Sequence, residues 1–298
     1  MGEALERAGR PARGSSIMAE RKAHDPPIAD RHRSLVERPR LLFVAQVALI
    51  VAILGSWEIL ARYGVLDDFF FSRPSAIFAY LVKAVQSKDF LLHLRVTLVE
   101  ASVGLIIGGG AGLICGFIFG KSQLLYKLFD PIISALNTLP RVALAPLFIL
   151  WFGLDEPAKI ALVISVVYFI MLLNTYAAVI SVDSDLVDTL RLMGASRWLT
   201  YRRLYLPFSI PFLFAGLRIS LAFAISAAIV GEMLVSRYGL GQLLRQRQDL
   251  LDTAGTFGVL VIIAIVAIFL NSLIKLLEVY LTRWRPVSGR VDVIKESM

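Results

Sequence analysis

The chain has 298 residues, of which 57% are hydrophobic and only 18% are charged, and its mean hydropathy is +0.71. Soluble domains have an apolar share of roughly 45 to 50%, so this composition excludes an ordinary soluble protein and indicates a membrane protein. The net charge of +8 would suggest nucleic acid only if the basic residues shared one soluble face. They are spread along the chain instead, and we expect no nucleic-acid partner.

The two ends of the chain are polar. Residues 1–40 are rich in Arg, Pro and acidic residues and lack hydrophobic periodicity, so we expect a disordered cytosolic tail. No apolar core precedes a small-residue cleavage site there, which argues against a cleaved secretory signal. Met1 and Met18 both remain open as the start of translation. Residues 286–298 are expected to form a cytosolic C-terminal tail, which leaves 41–285 as the transmembrane domain.

Six apolar segments between the tails are each long enough to cross the hydrocarbon layer, which takes about 20 helical residues. The sequence predicts spans at 41–60, 97–120, 131–152, 159–180, 208–233 and 254–281. The third contains Pro140 and Pro146, and the helix could break at either. The predicted fold class is therefore an all-α integral membrane protein with about six transmembrane helices. Between the first two spans, Phe69 to Phe71 and a short amphipathic helix from Ser75 are expected to lie on membrane lipid.

The orientation follows from the distribution of the 31 Lys and Arg residues. If the N-terminus is inside, twenty of them lie on the cytosolic side, nine lie outside and two lie within spans. Cytosolic loops carry the excess of basic residues, so both termini are predicted to be cytosolic.

The second span carries glycines at intervals of four, which places them along one face of a helix. Small residues at this spacing let a neighbouring span approach closely, so we interpret them as helix-packing residues: Gly104, Gly108, Gly112, Gly116 and Gly120. A phosphate-binding role is excluded because the chain has no GxxxxGK[ST] pattern. The single cysteine and three scattered histidines predict no metal site. We find no catalytic constellation and expect no enzyme activity and no cofactor bound by this chain.

Charged residues inside spans cost free energy and usually face a cavity or a partner. Four lie there, namely Glu100, Arg141, Arg218 and Glu232. Each arginine could attract an anionic substrate or form an ion pair with one of the glutamates, and the glutamates could simply reach the interface. The candidate translocation path comprises Asn137, Arg141, Asn174, Arg218 and Glu232.

A polar, basic segment between the fourth and fifth spans, residues 185–207, is named here the coupling segment. Helical spacing before and after Gly194 predicts two helices joined by a bend, and Ser196 can cap the second. Its acidic residue, the glycine six positions later and a final aliphatic-x-Leu-Pro resemble the EAA motif of bacterial ABC importer permeases, although Thr189 and Leu190 stand where that motif has alanines. The matching positions are Asp188, Thr189, Leu190, Gly194, Ala195, Ser196, Arg197, Trp198, Leu204, Leu206 and Pro207.

The GASRW sequence from Gly194 to Trp198 is most similar to the subfamily that moves nitrate, taurine, alkanesulfonates and some pyrimidine precursors. This resemblance implies a type I importer permease (MetI-like) fold in the bacterial inner membrane. It also implies a cytosolic ATPase docked on the coupling segment, an external periplasmic or lipid-anchored solute-binding protein, and a second permease copy. ATP and Mg would be used by the ATPase, and alternating access would carry the solute across.

Two alternatives remain open at this point. The chain could be an ATP-independent carrier or channel, in which the coupling segment acts as a gate or an anchor. It could also be the same type of importer for a neutral ligand such as a pyrimidine precursor, since the binding protein normally sets selectivity. The intramembrane arginines favour an anion such as a sulfonate, taurine or nitrate.

Overall fold

The computed structural model describes residues 39–283, and all regular structure in this range is helical. The predicted tails, apart from residues 39–40, lie outside the described residues. The helices, numbered in chain order, are α1 (Pro39–Arg62), α2 (Asp68–Phe71), α3 (Pro74–Gln86), α4 (Phe90–Lys121), α5 (Gln123–Thr138), α6 (Ala145–Phe152), α7 (Glu156–Ile180), α8 (Ser184–Leu192), α9 (Arg197–Thr200), α10 (Leu206–Val235), α11 (Leu240–Asp249) and α12 (Thr253–Leu281).

Five of the described helical segments are long and apolar enough to cross a membrane, and a bent pair, α5 with α6, would make six. The first, α1, provides 22 residues from Leu41 to Arg62 with a mean hydropathy of 2.0. Most of the other spans extend beyond the predicted limits. For example, α4 begins at Phe90 instead of residue 97, because polar residues at the end of a span remain helical where they meet headgroups or neighbouring helices.

The core lies between α4, α7 and α10, and α7 is its centre. On α7, Val163 and Val167 are fully buried, and Leu162 is 1% exposed. Ala224 and Ala228 on α10 are also fully buried. Small side chains on the neighbouring helix allow the backbones to approach, and this is how spans associate when lipid offers no hydrophobic driving force.

The glycine stripe of α4 faces α7 along its whole length. A Cβ added at Gly108 would lie 2.9 Å from the Cα of Ile164, and one added at Gly116 would lie 2.6 Å from the carbonyl oxygen of Leu172. A Cβ at Gly104, Gly112 or Gly120 would also collide with α7. Each glycine is therefore a point at which the two helices come too close for any side chain.

We expect Gly116→Ala to destabilise the protein, whereas Gly110→Ala should be neutral. The alanine methyl group at 116 would lie 2.6 Å from both the Leu172 oxygen and the Thr175 Cβ, while at 110 nothing lies within 4 Å. Overpacking of this kind costs roughly 1 to 3 kcal/mol. Thermal stability of the purified variants, followed by size-exclusion chromatography, measures the difference. Equal melting temperatures would show that α4 and α7 can separate without cost.

The third predicted span is two helices. Between α5 and α6 the chain bends by 82°, and Arg141 to Leu144 form a 3₁₀ turn in the bend. Leu139 is extended, with ψ of 134°, because the ring of a following proline disfavours the helical region. The break therefore falls at Pro140. Pro146 does not interrupt a helix, since it lies in the first turn of α6, where proline is tolerated.

The short helices between α1 and α4 pack against α12. Arg73 Nε donates to Asp68 Oδ1 at 2.8 Å, and this hydrogen bond holds the pKa of Asp68 below its usual value. Ile77 on α3 is buried, and Tyr80 packs directly over Gly258 on α12. One face of α3 thus packs against protein.

Candidate functional site

The coupling segment contains two helices and a tight bend. Asp183 caps α8 by accepting a hydrogen bond from the Asp185 amide at 2.9 Å. After α8, Gly194 has φ of +81°, and the Ala195 amide donates to the Leu190 oxygen at 2.9 Å. Ser196 then caps α9 by accepting from the Leu199 amide at 3.2 Å. A helix stop, a left-handed residue and a helix start together fix the angle of the bend.

The end of the segment is anchored to the core helix α4. The Tyr201 ring lies edge-on to Phe117, with 5.7 Å between centroids. Lys121 at the end of α4 places its ammonium group 4.7 Å from the centroid of the same ring, a favourable cation–π geometry. Tyr201 to Tyr205 form a π-helical turn, which joins α9 to α10. The segment is therefore continuous with α10 and in contact with α4.

The tip of the segment exposes large apolar side chains. Leu192 is 90% exposed, Met193 is 78% exposed and Trp198 is 69% exposed. Trp198 is held in place by stacking on Tyr201 at 5.8 Å. Large apolar side chains exposed on a polar segment make it a candidate interaction site.

A cleft of about 360 Å³ separates the tip from the end of α4. Three basic side chains, Lys121, Arg191 and Arg197, line it, with Val187 and Ala195 as apolar walls. Arg191 also pairs with Asp188 at 3.1 Å, and both side chains are largely exposed. The surface is thus apolar at its tip and positively charged at its base.

The other residues assigned to the motif by sequence lie in the same bend and its flanks. Thr189, Ser196 and Arg197 are exposed, as is Leu206, whereas Leu190, Ala195, Leu204 and Pro207 are half-buried. Thr189 donates its hydroxyl to the Asp185 oxygen within α8 at 2.7 Å. The eleven residues therefore lie in one bend and its flanking helical turns, some of them exposed and some half-buried.

A buried polar cluster lies at the opposite ends of the same spans. Glu100 and Glu232 are both fully buried, and the two carboxyl groups are neighbours. Lys159, which is 4% exposed, forms an ion pair with Glu100 and donates to Ser236 at 2.9 Å. The cluster therefore joins α4, α7 and α10, and both glutamates are enclosed by protein.

Glu232 also fixes the loop between α10 and α11. It accepts hydrogen bonds from the Thr97 hydroxyl and from the Gly241 amide, both at 2.6 Å. Nearby, the Gly239 amide donates to His93 Nδ1 at 3.0 Å, and the Leu240 amide donates to Thr97 at 2.8 Å. Both oxygens of Glu232 are therefore engaged by groups of its own chain, and its side chain is buried.

Neither Arg141 nor Arg218 forms an ion pair with Glu100 or Glu232, which the sequence analysis had considered. Arg218 pairs with Glu278 on α12 at 2.8 Å. Arg141 instead donates to Asn137, to the backbone oxygen at 3.1 Å and to Oδ1 at 2.5 Å. Asn174, the remaining path candidate, donates to the Ile170 oxygen of its own helix at 2.8 Å and packs against Gly216.

Lys159 belongs to the buried polar cluster, but the sequence analysis did not single it out. It is the first residue of the predicted span 159–180 and one of the nine basic residues assigned to the external side, and it lies buried in the first turn of α7. Pro157 indicates that the helix begins before Lys159, because proline favours the first turn of a helix. Lys159 is therefore expected to be helical. His93 and Thr97 gave no comparable signal.

Comparison with known proteins supports this architecture. Residues 108–285 match the family described as binding-protein-dependent transport system inner membrane component. The putative aliphatic sulfonates transport permease protein SsuC of Bacillus subtilis (strain 168) is 29% identical over 86% of this chain and 93% of that protein. The formylaminopyrimidine transport permease protein ThiX of Halalkalibacterium halodurans is 31% identical over 77% of this chain and 91% of that protein.

The fold also matches a solved structure. An inward-facing conformation of the MetNI methionine ABC transporter aligns with a TM-score of 0.54 at 19% identity, covering 66% of this chain and 98% of that one. The predicted all-α, MetI-like fold is confirmed, and the SsuC relative confirms the resemblance to the sulfonate subfamily. This chain belongs to the binding-protein-dependent transport system inner membrane components, the permease subunits of ABC importers.

Proposed function

We propose that this chain imports a small organic anion into a bacterial cell, driven by a separate cytosolic ATPase that docks on the coupling segment. The observation that carries the proposal is the exposed apolar tip formed by Leu192, Met193 and Trp198. The chain itself has no P-loop sequence, so ATP and Mg would be bound by the partner.

The proposed orientation places both termini and the coupling segment in the cytosol. Twenty of the 31 basic residues then lie inside, in agreement with the positive-inside rule. The burial of Lys159 in an ion pair with Glu100 strengthens this orientation, because it removes one cation from the external side.

The complex would contain two permease copies, two ATPases and an external solute-binding protein. Twofold symmetry is the common solution for a path formed between subunits. When ATP draws the ATPases together, the coupling segments follow, and the link from Tyr201 to Phe117 and Lys121 carries the movement into α4. Alternating exposure of the path to the two sides of the membrane is the expected result.

A small anion carrying a sulfonate group is our first candidate for the substrate. The relative SsuC is named for aliphatic sulfonates, and an intramembrane arginine provides fixed positive charge. A neutral pyrimidine precursor is the second candidate, because the relative ThiX is named for formylaminopyrimidine.

Docking at the tip is tested by Trp198→Ala. We expect the wild-type protein to retain a P-loop ATPase during affinity purification and the variant to retain at least tenfold less, since truncating a central aromatic anchor costs about 2 kcal/mol or more. The matched control is Leu250→Ala, which truncates an apolar side chain that is 64% exposed in the loop after α11. Equal retention of ATPase by both variants would contradict the proposed docking surface. So would labelling of an Arg197→Cys variant by a membrane-impermeant thiol reagent applied outside intact cells.

A further inference from the structure

Three basic side chains lie among the packed apolar helices, and two of them have anionic partners. Lys159 pairs with Glu100 and Arg218 pairs with Glu278. Within residues 39–283, no carboxylate lies within 4 Å of the Arg141 guanidinium group. Arg141 therefore keeps a positive charge that no acidic residue within 39–283 compensates.

Neutral groups hold the Arg141 side chain in a defined position. Nη2 donates to the backbone oxygen and to Oδ1 of Asn137, and the guanidinium carbon lies 4.6 Å from the centroid of the Phe169 ring. Nε is buried and has no hydrogen-bond partner among the described residues. The fork is thus oriented in advance. Because Nε is enclosed by protein, the donor group left for a ligand is Nη1, which makes no hydrogen bond to residues 39–283, and the planar guanidinium group suits an oxyanion.

The position of Arg141 in the fold is a second, independent reason to consider it a binding residue. It begins the 3₁₀ turn in the 82° break between α5 and α6, and discontinuous helices of this kind form the substrate sites of many transporters. The guanidinium group is only half-buried, and Asn137 beside it is exposed. Because an uncompensated charge facing hydrocarbon is costly, this face of the bend is expected to meet water.

We propose that Arg141, Asn137 and Phe169 form an anion-binding site inside the membrane, open to the aqueous translocation path. The ligand class is a small organic anion, whose sulfonate or carboxylate oxygens accept from Arg141 and whose short alkyl part contacts Phe169. The inference deepens the proposed import function, on which it rests, by assigning its substrate selectivity to this chain in addition to the binding protein.

The test places a single cysteine beside the guanidinium group. Asn137→Cys is made together with Cys115→Ala, and the full complex is labelled in cell membranes opened to give access from both sides. Two probes are compared, the anionic 2-sulfonatoethyl methanethiosulfonate and the cationic 2-(trimethylammonio)ethyl methanethiosulfonate. The ratio of their rates cancels the intrinsic reactivity of the thiol. In water, a positive charge about 6 Å from the thiol stabilises the anionic probe by about 0.7 kcal/mol and destabilises the cationic probe by about the same amount. The two effects together change the ratio of labelling rates by about tenfold.

We expect the ratio of anionic to cationic labelling to exceed that of free 2-mercaptoethanol by about tenfold and to fall to that baseline when Arg141→Gln is added. Arg141→Lys should preserve most of the excess. Failure of both probes to label the cysteine would show that this face meets lipid or protein, and a ratio unchanged by Arg141→Gln would show no anion selectivity. Either result overturns the proposal. Labelling requires no ATPase, so the outcome is independent of whether the coupling segment docks as proposed.

Discussion

Replacing Gly194 with valine is expected to reduce ATP-dependent uptake at least tenfold while the protein still accumulates in the membrane. Gly194 has φ of +81°, a conformation that costs an L-residue roughly 1 to 2 kcal/mol and a β-branched residue more. Since 1.4 kcal/mol corresponds to a factor of about ten, most molecules would adopt a different bend. The tip formed by Leu192, Met193 and Trp198 would then no longer present one surface to the ATPase.

Gly194→Asn is the matched control for this experiment. Asparagine tolerates the left-handed conformation better than other residues with side chains, and no atom lies within 4 Å of a Cβ built at this position. We therefore expect the asparagine variant to retain uptake and ATPase binding within about threefold of wild type. If valine and asparagine behaved alike, the geometry of the bend would not be what couples the two proteins. A Cβ atom at this position meets no neighbouring atom, so both variants test the backbone conformation.

Lys159→Met is expected to lower the stability of the protein by about 3 to 5 kcal/mol. The change leaves the carboxyl group of Glu100, which is fully buried, without its cation. Removing one member of a buried ion pair is costly because the other charge stays in a low-dielectric interior. The hydrogen bond from Lys159 to Ser236 is lost as well, which loosens the loop after α10. A lower melting temperature and reduced accumulation of the purified complex would report this loss.

Two further variants identify the cause. Lys159→Met combined with Glu100→Leu should recover most of the stability, since an apolar pair of similar volume replaces a buried ion pair at little cost. Lys83→Met, on the exposed side of α3, should have almost no effect. If the double variant were less stable than Lys159→Met alone, the cluster would stabilise the protein through contacts of Glu100 other than the ion pair.

The coupling segment shows which structural features a short sequence pattern can predict. Gly194 and Ser196 predicted a bend between two helices, and the structure has that bend with a left-handed glycine and a serine cap. These features depend on residues within one turn of each other, so their positions in the sequence are sufficient. The attachment of the segment to α4 through Tyr201 and Lys121 required the tertiary structure, because about eighty residues separate the two elements.

By itself, the sequence determined that this chain spans a membrane and where most of its spans lie. It also determined which face of α4 carries glycines and can pack closely against another helix. Hydropathy and glycine spacing carry that information because they depend on one helix at a time. Only the tertiary structure decided that Pro140 divides the third segment into two helices, that Lys159 neutralises Glu100, and that Arg141 has no anionic partner among the described residues. The pairing of charges depends on the rotation and depth of each helix relative to its neighbours, and a linear pattern of apolar residues does not specify either.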